Sequence, residues 1–190
     1  MSSTRPSIAA CLVLQGGGTP PALDADVRNL VAVADEVVVY DTADHLVPGS
    51  AAFEATLHPA VTVVSGFWAD DRRRAQQAAM AHLASDWALC LLPGEKVCTD
   101  TEQLRALLVE AQDAAALSVR VDDVVRGTHR SPRLLHRTGA GAPATGAVGG
   151  VAGGLDEEAV AEVPSRVLTV CQPVATTANL PRQRGVFDRV

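Results

Sequence analysis

At 190 residues, with 47% hydrophobic and 20% charged side chains, the chain has the length and composition of one α/β domain with a substantial core, and disorder throughout is excluded. A formal net charge of -6 argues against a nucleic-acid binder, which meets phosphates with a basic surface. No stretch approaches the roughly 18 consecutive apolar residues of a membrane span, and no basic start followed by an apolar run opens the chain, so a cytoplasmic protein without a membrane span is expected.

Ile8 to Leu14 is an apolar run that stops at Gln15-Gly16-Gly17-Gly18, the pattern of a buried strand ending in a tight loop. After Pro20-Pro21, Asp24 to Ala34 puts Val27, Leu30, Val31 and Ala34 on one face, which predicts an amphipathic helix capped near Asp24. Val37 to Tyr40 is a second buried strand ending at Asp41, and strand, helix and strand in this order imply a parallel sheet. Val61 to Val64 reads as a third strand, and Asp70 to Ala84 as a helix opening on Asp70 and Asp71, then Arg72, Arg73 and Arg74. Trp87 to Leu92 is a fourth strand broken by Pro93-Gly94. Thr99 to Ala111 is a helix capped by Thr99 or Asp100, with Leu104, Leu107 and Leu108 inward. Ala115 to Val121 and Arg133 to His136 read as later strands, added antiparallel. The Gly- and Ala-rich stretch Gly139 to Gly154 reads as a mobile loop, and the tail from Pro181 as partly disordered. Cys11, Cys90, Cys98 and Cys171 form no CxxC pair, and the histidines His45, His58, His82, His129 and His136 lack ligand spacing, so free thiols and no zinc site are expected.

The stretch Phe67 to Val97, FWADDRRRAQQAAMAHLASDWALCLLPGEKV, resembles the middle of family 2 glycosyltransferases, which read W-x-D-D-F-x-x-A-R-N, a helix, then G-D-W-I-L-x-L-D-A-D-E. Upstream, Asp35 to Asp44, DEVVVYDTAD, is similar to the family's D-E-I-V-V-V-D-T-G-S, and downstream Pro132 to Arg137, PRLLHR, to its P-R-L-F-R-R. Several motifs in order, from about Ser7 to Gly150, carry more than any one alone. The resemblance implies an α/β fold of glycosyltransferase-A type, with a Rossmann-like, mixed and mainly parallel sheet flanked by helices. It also implies a nucleotide-sugar-binding-type domain over 1–150, with 151–190 as a partly irregular C-terminal extension.

At the family's chemical positions the sequence departs from the pattern. The D-x-D that holds a divalent cation against the diphosphate becomes Leu92-Pro93-Gly94, so Mg or Mn is not expected there, and Glu95 is left as the catalytic or metal-contacting candidate. The A-R-N becomes Ala75-Gln76-Gln77, the first-strand N-E becomes Gly16-Gly17, and the later H-E aligns with Gly149-Gly150. An inverting transfer needs a carboxylate to take the acceptor's proton, and none stands where the pattern puts it.

The nucleotide-binding candidates are Asp41, Gln15, Gly16, Arg72, Arg73, Arg74 and Gln76. A carboxylate ending a parallel strand can bond a ribose or a base edge, although the alternative reading is a solvated strand-end Asp or a helix cap. The glycines offer open backbone, but a turn before Pro20-Pro21 explains them better. The three arginines suit a diphosphate without a cation, against the commoner reading of a solvated basic turn paired with Asp70 and Asp71. Asp24-Ala-Asp26 reads as helix-end acid rather than a metal motif, Trp87 as core, and Trp68 as more open to a ligand. Asp122-Asp123 and Asp156-Glu157-Glu158 read as turns or a helix start, and His129 and His136 as structural. The expectation is a glycosyltransferase-like protein that binds a nucleotide or nucleotide-sugar with its metal and base positions lost. The alternative is a non-catalytic relative acting as a binding module, partner subunit or homo-oligomer. A dinucleotide enzyme ranks last, since Gly16-Gly17-Gly18 does not give G-x-G-x-x-G.

Overall fold

The computed structural model describes residues 5–15, 22–67, 72–137 and 160–171. In chain order the elements are β1 Ile8–Leu14, α1 Leu23–Val31, β2 Glu36–Asp41, α2 Ala51–Thr56, β3 Val61–Ser65, α3 Arg72–Met80, β4 Trp87–Leu91, β5 Lys96–Thr99, α4 Thr101–Glu110, β6 Ala116–Asp123, β7 Gly127–His136, β8 Val160–Glu162 and β9 Leu168–Cys171. They form a nine-stranded sheet in the order β3-β2-β1-β4-β7-β6-β9-β5, with β8 beside β6. β3, β2, β1 and β4 run parallel. β7 is antiparallel to both β4 and β6, while β8 and β9 lie parallel to β6. This is the mixed, mainly parallel, helix-flanked sheet that the sequence predicts; of the two later strands, β7 runs antiparallel to β4 but begins at Gly127, six residues before the expected Arg133, and β6 is antiparallel to β7.

Every residue of β1 is buried, because both faces of the sheet are covered at its centre. Ile8, Ala10, Leu12 and Leu14 join a core with Leu23, Val27 and Leu30 of α1, Ala52 of α2, and Leu104 and Leu108 of α4. Ala9, Cys11 and Val13 face the other way, against Ala75 and Ala79 of α3. The crossovers through α1 and α2 carry the chain outward from β1 to β3, and α3 then returns it over the opposite face to set β4 on β1's other side. The winding therefore reverses between β1 and β4, and in open α/β sheets the carboxyl ends of strands at such a switch frame ligand sites.

Three acids lock the opposite, N-terminal edge. Arg105 of α4 grips Asp35 with both guanidinium nitrogens, at 2.9 and 2.8 Å, and donates to the Pro6 carbonyl at 2.8 Å. The same Asp35 carboxylate takes the Ile8 N–H at 2.9 Å. Glu36 accepts from the Ala84 and Ser85 N–H groups and the Ser85 hydroxyl, and Asp86 from the N–H and hydroxyl of Ser7. Asp35, Glu36 and Asp86 thus fasten the beginnings of β1, β2 and β4.

Several elements differ from expectation. α1 is preceded by Ala22 in left-handed conformation, with no side-chain cap, so Asp24 does not cap the helix and instead pairs with Arg28 one turn on. α2 and β5 were not foreseen; Ser50 caps α2 by accepting from the Phe53 N–H at 3.1 Å. α3 ends at Met80, short of Ala84. Asp100 caps α4 as expected, with its side chain accepting from the Gln103 N–H at 3.1 Å. Beyond residue 150, β8 and β9 join the main sheet. Cys11 and Cys90 are buried neighbours across β1 and β4. No helix among the described residues is long and apolar enough to cross a membrane. The 139–154 stretch, the tail from Pro181, and Asp156-Glu157-Glu158 lie outside the described residues.

Candidate functional site

At the C-terminal edge, β1 ends at Leu14, whose carbonyl accepts the Thr42 hydroxyl at 2.7 Å, followed by half-buried Gln15. Gly16 lies outside the described residues. Asp41 closes β2 and is buried. Its Oδ1 lies 2.6 Å from His45 Nδ1 and 3.2 Å from the Ala43 N–H, and its Oδ2 takes the Leu46 N–H at 3.1 Å. An ionised carboxylate only accepts, so His45 donates through Nδ1. Burial pushes the Asp41 carboxyl up, but the His45 ring and the N–H groups of His45, Ala43 and Leu46 outweigh it and hold it below its ordinary value. Both oxygens organise the loop between β2 and α2, so a ligand hydroxyl would have to share an oxygen already engaged. Asp44, in that loop, holds a left-handed φ of 53°.

β4 ends in the turn Leu92-Pro93-Gly94-Glu95, with Gly94 at a φ of 86°. The Gly94 N–H donates to Asp26 Oδ2 of α1 at 2.7 Å, and Asn29 of α1 bonds both the N–H and the carbonyl of Val97 at 2.8 and 3.2 Å. Burial raises the Asp26 carboxyl, and the Gly94 N–H and Lys96 only partly offset it. Glu95 Oε2 accepts the Leu92 N–H at 2.8 Å, while Oε1 pairs with Arg133 Nη2 of β7 at 2.8 Å. The two side chains are 1% and 9% exposed, and Arg133 Nη1 also reaches the Cys90 carbonyl at 3.4 Å. Glu95, the catalytic or metal-contacting candidate, lies in a buried ion pair joining the β4 turn to β7. A divalent cation does not fit this turn. Leu92 and Gly94 bring no side-chain oxygen, and two acids at this turn among the described residues, Glu95 and Asp26, are engaged by a guanidinium and by backbone N–H groups.

α3 follows β3 after residues 66–71, which sets its N-terminus, Arg72 onward, at this same edge. Arg74 is exposed. Gln76, one turn in, is 1% exposed, and its Oε1 has no hydrogen-bond partner among the described residues. Just past β3 the backbone is close-packed. Gly66 donates its N–H to the Asp41 carbonyl at 2.8 Å, and a Cβ there would come within 1.9 Å of the Tyr40 ring. The edge thus gathers Gln15, Asp41, the start of α3 and Gln76, with Glu95 set inward. Trp68, Asp70, Asp71, Gly149 and Gly150 lie outside the described residues.

Sequence reasoning did not find Arg133, Asp26, Asn29 or His45 as structural residues of this edge. The P-R-L resemblance marked Arg133's position without its partner. Trp87 lies in the core as read, with His136 stacked on it at 4.5 Å between ring centroids. Asp123 caps the β6–β7 turn by accepting from the Val125 and Arg126 N–H groups at 2.7 and 3.0 Å.

No family model matches this sequence, and no curated protein matches it. Among solved structures the chain is similar to the mannosyltransferase PcManGT from Pyrobaculum calidifontis in complex with GDP-Man and Mn2+, at TM-score 0.47 and 21% identity, covering 62% of this chain and 36% of that one. It is similar to residues 1–349 of S. aureus TarS at TM-score 0.47 and 12% identity, with the same coverage. The UDP complex of that TarS piece gives TM-score 0.45 and 10% identity over 64% of this chain and 37% of that one. The chain therefore spans little more than a third of the length of these structures, and the assignment of fold rests on the strand order given above.

Proposed function

We propose that this chain is a glycosyltransferase-like α/β domain that binds a nucleoside diphosphate, free or in a nucleotide-sugar, at the C-terminal edge of its sheet without a divalent cation and without transferring sugar. The observation that carries this reading is Gln76. A buried amide oxygen without a donor costs on the order of 1–3 kcal/mol, and this one lies one turn from three arginines at the switch edge. A ligand N–H or O–H would satisfy it, while Arg72, Arg73 and Arg74 and the α3 N-terminus would meet the diphosphate. The ion pairing of Glu95 favours the non-catalytic reading over an active transferase, because its side chain is buried and its oxygens are held by the Arg133 guanidinium and the Leu92 N–H. Asp41 and His45 then act as builders of the loop beside the nucleotide.

The test is calorimetric titration with UDP, GDP and dTDP of the wild type, Gln76→Leu, and the variant with Arg72, Arg73 and Arg74 all changed to Ala. The proposal expects binding by the wild type, at least tenfold weaker binding by both variants, and a more stable fold in Gln76→Leu because the orphaned oxygen is gone. Unchanged affinity in the arginine variant would sink it. Release of free sugar from UDP- or GDP-sugars by the wild type, or its transfer, would restore the enzyme reading.

A further inference from the structure

β3 is the outermost strand on its side of the sheet, and β2 is its one strand neighbour among the described residues. The pairing with β2 runs without a break from Val61 to Ser65, so among the described residues alternate backbone N–H and C=O groups along the outer edge lack a ladder partner, the Val61 N–H being held by the His58 carbonyl at 2.9 Å. Natural edge strands are ordinarily blunted by a charge, a proline or a bulge. β3, with the sequence Val-Thr-Val-Val-Ser, has none of these within its length. Thr62, Val63 and Ser65 are exposed, so side chains on both faces of the strand stand clear of the helices. Val63 is 41% exposed, and Phe67, two residues past the strand, is 79% exposed.

We propose that this edge pairs with the same edge of a second copy of the chain, antiparallel about a two-fold axis through Val63, so that the sheet continues across a dimer. A two-fold axis across a strand relates it to its copy in antiparallel sense, and it makes the contact self-complementary. In this register Val63 meets its own counterpart, Thr62 meets Val64, and Val61 meets Ser65. All of these pairs are neutral, which matters for two chains that each carry a net charge of -6, since no like charges oppose each other in the ladder. The same register brings exposed Phe67 alongside Pro59 and Val61 of the second copy and covers the most exposed aromatic side chain of the described residues. A strand from an unrelated protein would satisfy the backbone edge as well. The self-pairing is favoured because the residues that face each other are all uncharged and, apart from Ser65, all β-branched.

The test is the molar mass of the full chain by light scattering after size exclusion, over a range of concentrations, for the wild type, Val63→Lys and Thr62→Lys. The expected result is a concentration-dependent dimer for the wild type that persists as salt is raised, because backbone and apolar contacts hold it. Both variants should be monomers with unchanged circular dichroism. Thr62→Lys serves if Val63→Lys fails to fold. A wild-type monomer at every concentration overturns the proposal, as does a dimer that survives in both lysine variants.

Discussion

Replacing Arg133 by Met is the sharpest probe of how the C-terminal edge is built. The change takes the guanidinium away from the Glu95 carboxylate, 1% exposed, while the Leu92 N–H stays on its Oε2, and removes the donor that reaches the Cys90 carbonyl. Breaking a buried ion pair by removing one partner costs about 3–5 kcal/mol, a large share of the roughly 5–15 kcal/mol that holds a domain together. Adding Glu95→Leu should recover most of that loss, because a buried pair replaced by apolar groups is often neutral. What remains is the Leu92 N–H and the Cys90 carbonyl left unmet, worth about 1–3 kcal/mol. Urea unfolding followed by tryptophan fluorescence reads this, since Trp87 is buried against His136. Additive losses, with the double variant less stable than either single one, would refute the coupling. If Arg133→Met lies within about 1 kcal/mol of the wild type, the pair is screened by solvent, and Glu95 is free to act as a base after all.

Gly66→Ala should destabilise the fold by about 1–3 kcal/mol, because its Cβ would enter the Tyr40 ring, and the near-ultraviolet signal of that tyrosine should change with it. If stability is unaltered, the packing of Tyr40 on Gly66 is wrong. Burial pushes the Asp35 carboxyl up, but Arg105 and the Ile8 N–H hold it below its ordinary value, and Asp86 is lowered by Ser7 in the same direction. A lowered native pKa gives stability that is present above the unfolded value, near about 3.9, and is lost as pH falls through the native one. Urea midpoints should therefore drop on acidification below about pH 4, and Asp35→Asn should be weaker at neutral pH with a flatter acid limb. An acid limb unchanged by Asp35→Asn would contradict this. Asp26 has the opposite sign, since its carboxyl is raised. Asp26→Asn keeps an oxygen for the Gly94 N–H and should not weaken the protein at neutral pH, whereas Asp26→Leu should; equal midpoints for the two variants would remove Asp26 from the turn.

The centre of the fold was legible because strands buried on both faces are continuous apolar runs. β1, β2 and β4 fall almost where those runs lie. α2, β5 and β8, of six, four and three residues, are too short to show a period, and their positions depend on neighbours distant in sequence. Asp100 could be read as a cap, whereas Asp24 could not be excluded as one, since the left-handed turn at Ala22 that displaces it leaves no mark in composition. The motifs located the edge where the site should lie, but not the state of its acids. Glu95 is paired with a residue 38 positions away, and Asp26 with a backbone N–H 68 positions away, and no local spacing announces either contact. Asp35, Glu36 and Asp86, in the motif-like stretches, serve the N-terminal edge of this sheet.

The most direct test of the central claim is a pair of titrations of the wild-type chain with UDP and GDP, one in EDTA and one in Mn2+. The account predicts binding with the same Kd in both, because arginines and the α3 N-terminus replace the cation. Binding that requires Mn2+ would contradict it and return the metal to the β4 turn, and no binding under either condition would remove the nucleotide from the account altogether.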